Sequence, residues 1–459
     1  VRSRRAAGVL LLLAACGREP PPRPDVVIWL VDTLRADHLG CYGHARDTSP
    51  RLDALARAGV LFEQAHAPSN WTQPSVAAIL SGRQPGAFDP GFGSVAPAGL
   101  LMAAERFAEA GYVSAGFTAT VATAARFGFA QGFDEYEELD LLLDPGQRKQ
   151  RGADVYGAQR LVEAARGFLD RRARADDGRP FLLYLHSVDP HAPYGGATSG
   201  PSFAGPYDGP IDGSVESVAR AQREGYAFTE ADRRHVADLY DDDVRFNDAQ
   251  LGALVDELGA RGLLRDTLLV VVSDHGEELW ERGALGHGHG DLHAELTHVP
   301  LVLHWPAALP AGRRVPALVG ALDLLPTLLE LIGLPPGGDL DGVSRAGLAR
   351  GAQGPGAPAL LLDRCKPLSP VSALRTPDWL LHAGVAPLAG LYDVRADPRA
   401  AVDLSAARGS EAVRLREALD LLAARRDGAW AALQAGQPVE VDAETVEKLR
   451  ALGYLGEGQ

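Results

Sequence analysis

Three apolar runs of this chain each end in residues that bind cations or move protons. "DVVIWLVDT" ends at Asp32, "PFLLYLHSVDPHAPY" carries His186 and His191, and "DTLLVVVSDHGEE" ends at Asp274-His275. Continuous runs of large and β-branched apolar residues suit parallel strands buried on both faces. In open α/β sheets, ligands bind just beyond the carboxyl ends of such strands. One strand-end aspartate is as well explained by a turn or a helix cap, but three strand ends carrying carboxylate and imidazole point to a site. A glycine-rich loop, "GALGHGHGDLHAEL", adds His287, His289 and His293, which a surface loop could carry without function.

The stretch "SNWTQPSVAAILSGRQP" places Thr72 before a short helix that Pro74 opens and Gly82 ends. Threonine is a good N-cap, and proline is tolerated in the first turn. The same helix terminus also favours an anion, so Thr72 reads either as a cap or as a residue that touches a bound anionic group. Asp32, Thr72, Asp274 and His275 together offer three oxygens and one nitrogen. That set suits one divalent cation, zinc or manganese, with calcium or magnesium less natural because of the imidazole. A bound cation lowers the pKa of an aliphatic hydroxyl and positions it for attack, which gives Thr72 a chemical reason to be there.

The elements that must hold these groups alternate strand and helix. "SPRLDALARAG" and "DDDVRFNDAQLGALVDELGARG" are helical and separate the three strands. The expected fold is a doubly wound α/β sheet, mostly parallel and flanked by helices, with a smaller C-terminal α+β subdomain. Its division is 1–25 signal and spacer, 26–344 catalytic domain, and 359–459 subdomain, joined by a Gly- and Pro-rich linker from Arg345 to Pro358. "ALLLDRC", "DWLLHAGV" and "GLYDV" are short strand candidates in that subdomain. "ALVGALDLLPTLLELIGL" is interrupted by Asp323, Pro326 and Glu330, so it reads as a buried helix and not a membrane span.

The 459 residues hold 45 Lys plus Arg against 60 Asp plus Glu, a formal charge of −15. That balance opposes attraction to nucleic acid. "VRSRRAAGVLLLLAACG" has the basic start and short apolar core of an export signal. Its end, Leu13 to Cys16, resembles a bacterial lipobox, in which Cys16 is lipidated. "GREPPPRPD" then forms a stiff spacer. The expectation is an exported bacterial lipoprotein, held by its lipid on the periplasmic side of a membrane or at the cell surface. Cys41 and Cys365 are the remaining cysteines, so no disulfide framework or cysteine metal site is implied.

The ordered set of motifs resembles the sulfatases and sulfatase-like phosphohydrolases and phosphotransferases of the alkaline phosphatase superfamily. The likeness runs from "VDTLRADHLGCYG" through "SNWTQPSVAAILSGRQP", "FLLYLHSVDPHAPY", "SDHGEELWERGALGHGHG" and "ELTHVPLVLHWP" to "LYDVRADPRAAVDL" and "EKLRALGYLG". It implies that Asp32, Asp274 and His275 bind the metal and that Thr72 holds the nucleophile position. It also implies that His191 and His287 contact the transferred group or protonate the leaving oxygen, with His289 as the alternative to His287. The C-terminal subdomain would close one side of the active site.

Three positions depart from the sulfatase pattern. Classical sulfatases place a formylglycine precursor, cysteine or serine, at position 72. They place an arginine where this chain has Val76 and a second aspartate where it has Thr33. They also carry lysine and histidine near "GFTATVATAARF", which has neither. Thr72 instead resembles the nucleophile of lipoteichoic acid synthases and phosphoethanolamine transferases. The implied substrates are sulfated or phosphorylated glycans, lipids or small-molecule esters. A head-group transferase and a degenerate, non-catalytic binding lipoprotein are the alternatives. The loop "GGATSGPSFAGPYDGPIDGS" after "PHAPY" has no helical or strand period and is expected to face the substrate. It contains no basic residue, which argues against a polyanion lying along it.

Overall fold

Alternate residues of the first apolar run face opposite layers, Val26, Ile28 and Leu30 on one side and Val27, Trp29 and Val31 on the other. This two-sided burial is why the run lacks polar alternation. The structure is a computed structural model, and it describes residues 23–85, 95–139, 157–196, 199–287, 292–335, 337–364, 371–384, 389–431 and 433. The elements of its first half are β1 (Asp25–Val31), α1 (Pro50–Ala58), β2 (Val60–His66), α2 (Thr72–Ser81), α3 (Ala103–Glu109), β3 (Val113–Thr118), β4 (Glu135–Glu138), α4 (Gly157–Ala175) and β5 (Phe181–Ser187). There follow α5 (Val215–Arg223), α6 (Glu230–Ala260), β6 (Thr267–Ser273), the short pair β7 (Glu278–Leu279) and β8 (Leu285–Gly286), α7 (Ala294–Thr297), β9 (Leu301–His304), β10 (Arg313–Gly320) and α8 (Leu324–Leu331). The chain continues through α9 (Ala346–Ala349), β11 (Leu360–Arg364), β12 (Val371–Arg375), β13 (Trp379–Ala383), β14 (Ala389–Asp393) and α10 (Gly409–Ala431).

The main sheet has eight strands in the order β10-β2-β9-β6-β1-β5-β3-β4. β9 runs antiparallel to β2 and β6, and the other pairings are parallel. Helices α2, α3, α8 and α9 pack on one face, and α1, α4, α5 and α6 on the other. The expected doubly wound, mostly parallel architecture is therefore what the chain adopts. β1 lies between β5 and β6, so the three strand ends singled out by their chemistry are immediate neighbours.

The C-terminal sheet has the order β11-β12-β13-β14, antiparallel throughout. Leu415 and Leu419 of α10 close its apolar face against Leu361, Leu374, Leu381 and Leu391. β12, "VSALR", has no counterpart among the strands expected from sequence. This sheet touches the segment before α2: Asp363 N–H donates to Pro68 O at 2.9 Å, and Ser69 bridges Asp363 in parallel.

Two local readings are corrected. The segment 317–334, expected to be one helix, is the end of β10, a tight turn and then α8. Asp323 makes the corner by accepting from Gly320 N at 3.2 Å, Val343 N at 2.7 Å and Arg345 Nε at 2.8 Å. The stretch from Arg345 to Pro358 contains α9, whose Ala346 and Ala349 are buried in the main core. Among the described residues, no helix is long and apolar enough to cross a membrane.

Candidate active site

Asp32 and Thr33 leave β1 in a sharp turn, with Asp32 N–H donating to Ser187 O of β5 at 2.8 Å. Thr33 sits at φ 58°, a conformation costly for a β-branched residue. It is held from both sides, because its N–H donates to Asp274 Oδ1 at 3.3 Å and its carbonyl accepts from Tyr240 Oη at 2.7 Å. Leu34 N–H donates to Ser273 Oγ, which itself donates to His275 O. On the other side, Asn247 of α6 accepts from Trp29 Nε1 and donates to Ser187 Oγ and Asp189 O. One helix thus fixes the register of the ends of β1 and β5.

Thr72 is wholly buried and is the first residue of α2. The N-cap position belongs to Trp71, which makes no side-chain cap hydrogen bond. The cap reading of Thr72 is therefore corrected: the residue lies inside the first turn, and its hydroxyl is 3.2 Å from His275 Nε2. Gly82 ends the helix at φ 66°, the left-handed conformation that favours glycine. Ser75 of the same helix donates to Asp274 O at 2.5 Å, locking α2 to the end of β6.

His275 Nδ1 lies 2.9 Å from Gly276 O. A carbonyl only accepts, so Nδ1 carries a proton, and as a metal ligand the neutral ring would present its lone pair at Nε2. That nitrogen is 3.6 Å from Asp32 Oδ1 and 3.6 Å from Asp274 Oδ2. Two ligands of one tetrahedral cation with bonds near 2.1 Å lie roughly 3.4 Å apart, so these separations are the ones a shared ion demands. Asp32, Asp274 and His275 form a fully buried group whose donor atoms all lie within 4.8 Å of one another. Burial pushes the Asp274 carboxyl up to about 8, despite the N–H groups of His275 and Thr33 that pull it down. Its Oδ2 takes no hydrogen bond among the described residues. Two carboxylates this deep hold their charge at neutral pH only beside a cation. Arg35 does not serve: it is spent on Asp37, Glu281 and Glu277 O. The residues present therefore fit a divalent metal.

His191 and His287 meet above this group, with ring centroids 5.0 Å apart, and His287 is 4.5 Å from the His275 ring and 5.6 Å from Trp71. Their environments divide their chemistry. His191 Nδ1 donates to Ala192 O at 2.6 Å. Burial first, and then the neighbouring His287, pull its pKa down to about 3, so it is a neutral acceptor at Nε2. His287 Nδ1 instead lies 2.9 Å from the wholly buried carboxylate of Glu277, and a carboxylate partner supports the protonated ring. Glu277 has no place among the residues singled out by sequence. Its signal is its position three residues after Asp274, on a turn that brings it back to the β7–β8 ribbon.

His186 faces the same layer as α2 but is turned to Thr123 and Tyr184, whose hydroxyls lie 3.1 Å from its Nδ1. His293 packs at a tilt against His382 of the C-terminal sheet, with ring centroids 4.2 Å apart, which separates it in role from His287. His289, Cys16 and Cys365 lie outside the described residues. A second group, His38, His44 and Asp241, also has ligand-like spacing. There Arg46 already supplies positive charge to Asp241 and Asp238 at 2.8 and 2.6 Å, so it is an ion-pair network tying the chain after β1 to α6.

Fold and cluster together define an α/β enzyme with its polar site at the carboxyl ends of three adjacent parallel strands. The chain belongs to the sulfatase family, whose model, described as Sulfatase, matches residues 24–334; it is a sulfatase-like ester hydrolase. It is 28% identical to human arylsulfatase A over 390 residues, covering 74% of this chain and 71% of that protein. Among solved structures, it superposes on the phosphonate monoester hydrolase of Agrobacterium radiobacter with a TM-score of 0.68 at 22% identity, over 88% of this chain and 95% of the other. It also superposes on a protein in complex with its substrate D-glucosamine-2-N,6-O-disulfate with a TM-score of 0.71 at 19% identity, over 88% and 98%.

Proposed function

We propose that this protein is a metal-dependent hydrolase of monoanionic esters, sulfate monoesters, phosphonate monoesters or phosphodiesters, with Thr72 as nucleophile. The observation that carries the reading is the approach of Thr72 Oγ1, Asp32 Oδ1 and Asp274 Oδ2 to within 3.2–3.6 Å of one nitrogen, His275 Nε2. Family membership and the resemblance of "NWTQPS" to a threonine-nucleophile motif support it. A divalent cation held by Asp32, Asp274, His275 and Thr72 would lower the pKa of the threonine hydroxyl and withdraw charge from the ester oxygens.

Thr72 attacks sulfur or phosphorus through Oγ1, whose proton would be lost to solvent before the ester binds, and the bond to the leaving oxygen breaks opposite it. His287, protonated and backed by Glu277, gives its Nε2 proton to that oxygen. A water molecule, deprotonated by the now neutral His287, then releases the acid from Thr72. His191 Nε2 accepts a hydrogen bond from the leaving alcohol or the incoming water. Charge supports the monoanionic class, since two carboxylates balance one divalent cation and Val76 stands where sulfatases carry an arginine. A phosphate monoester dianion would meet the His287 imidazolium as well, but Glu277 at 2.9 Å already balances that charge.

The sequence around Cys16 and the proline spacer support an exported, lipid-anchored location. The deciding experiment is a turnover screen of sulfate, phosphonate and phosphate esters with metal content measured alongside. Turnover that is lost with the metal on chelation and restored by zinc or manganese is expected. Full activity of a metal-free preparation would refute the reading.

A further inference from the structure

Beside the polar cluster lies a cavity of about 190 Å³ whose inner end is formed by His191, His287 and Glu277. Its remaining walls come from the segment after β5 and from α5, with Tyr194, Val215, Val218 and Ala219 among them, and from Leu285 on β8. Drug-sized ligands occupy pockets of roughly 300–1,000 Å³, so this one encloses a group of about one ring.

The wall is anchored. Tyr194 N–H donates to Gly213 O at 2.9 Å, Gly195 N–H to Asp243 Oδ2 at 2.6 Å, and Phe203 N–H to Asp242 Oδ1 at 2.8 Å. Ser214 caps α5 by accepting from Ser217 N. The aspartates of α6 thus hold the glycine- and proline-rich segment against the site.

The charge of the lining is the informative feature. Among the described residues that line it there is no arginine or lysine, and the carboxylate present is that of Glu277. The His287 imidazolium is already balanced by Glu277 at 2.9 Å, so a negative leaving group seated here would lose its hydration with no arginine or lysine of the lining to replace it. A neutral ring would lose little and gain contact with the aliphatic wall.

We infer that this cavity is the leaving-group subsite and that it selects a compact uncharged alcohol, a phenol or a single neutral sugar ring, against anionic ones such as a carboxylated or further sulfated ring. The inference rests on the hydrolase reading above.

The test uses the full chain and two phenols matched in pKa, one bearing a ring carboxylate and one not, together with their sulfate and methylphosphonate esters. Binding of the free phenols, followed by ligand NMR, needs no turnover. Kcat/KM of the esters reports the subsite during reaction. The expected preference for the neutral partner is on the order of 30-fold or more in both measurements. Gln222→Lys, at an exposed position on the cavity wall, should cut that preference by about fivefold or more through attraction of the carboxylate.

Equal binding and turnover of the two partners, or a preference untouched by Gln222→Lys, overturns the inference while leaving the hydrolase reading intact. Selective binding of the neutral phenol, with no ester turned over, overturns the hydrolase reading and with it the leaving-group role, and leaves only a neutral-ring pocket.

Discussion

Replacing Thr72 by alanine and by serine separates a structural hydroxyl from a reacting one. The side chain is wholly buried, and its hydroxyl lies 3.2 Å from His275 Nε2. Serine deletes one methyl group, which costs about 1 kcal/mol of stability. Alanine keeps the β-carbon but removes the hydroxyl, and leaving its buried partner unsatisfied costs about 1–3 kcal/mol. No cap is lost in either variant, because Trp71 holds that position. Stability alone therefore changes modestly in both, and an assay well below the unfolding midpoint would leave a structural hydroxyl nearly silent. As the attacking group, its loss should lower kcat/KM on a reactive aryl ester by about 10³-fold or more, equivalent to roughly 4 kcal/mol of transition-state stabilisation. Serine should retain activity within about 100-fold of wild type, since it keeps the hydroxyl but loses the methyl that fixes its rotamer. Denaturant melts of all three proteins report the stability side. Mass spectrometry should find Thr72 unmodified at rest and esterified when a slow phosphonate or phosphodiester is trapped on it. An alanine variant within tenfold of wild type, or an oxidised residue at position 72, would refute the assignment.

Glu277→Gln keeps the volume and an acceptor facing His287 Nδ1 but removes the charge that supports the imidazolium. It should lower kcat by about 10–100-fold for poor leaving groups and far less for activated phenols. Equal losses for both would place Glu277 outside the proton path. Asp248 accepts from Arg51 N at 2.9 Å and Leu52 N at 2.7 Å at the start of α1, and burial raises its pKa to about 7. The folded state therefore binds a proton that the unfolded state releases near pH 4, so this carboxyl erodes stability as pH climbs from about 4 to 7. Asp248→Asn should flatten that part of the stability profile in urea melts at stepped pH; an unchanged slope would contradict it. Cys16→Ser should abolish lipid labelling and membrane association in cells while leaving the esterase chemistry of the purified body unchanged. Normal labelling of the variant would refute the anchor.

What the sequence carries by itself is local. A run such as "DTLLVVVSDH" is legible as a doubly buried strand because Leu268 to Val272 are all apolar, as covered faces on both sides demand, and the chemistry begins where that cover ends. The likeness of Asp32, Thr72, Asp274 and His275 to one family's motifs is equally visible, since it needs only order and spacing along the chain. Local pattern fails where two partners compete for the same residues. Residues 317–334 are apolar in either state, and what breaks them into strand and helix is Asp323, held by Val343 and Arg345 about 20 residues away. The same holds for Thr72, which sits one residue inside α2 because Ser75 is tied to Asp274 from 199 residues along the chain. Strand order is of this kind too: that β1 lies between β5 and β6, and so brings the three chemical ends together, depends on pairings over more than 150 residues, which no window on the sequence contains. The pairing of Glu277 with His287 required the β7–β8 ribbon, and the cavity beside them required aspartates of α6 to pin a segment with no period of its own. Side-chain type and strand-end position are properties of the chain, whereas the Nδ1 hydrogen bond of His275, the neutrality of His191 and the charge of the cavity wall exist only once burial and distant partners set them.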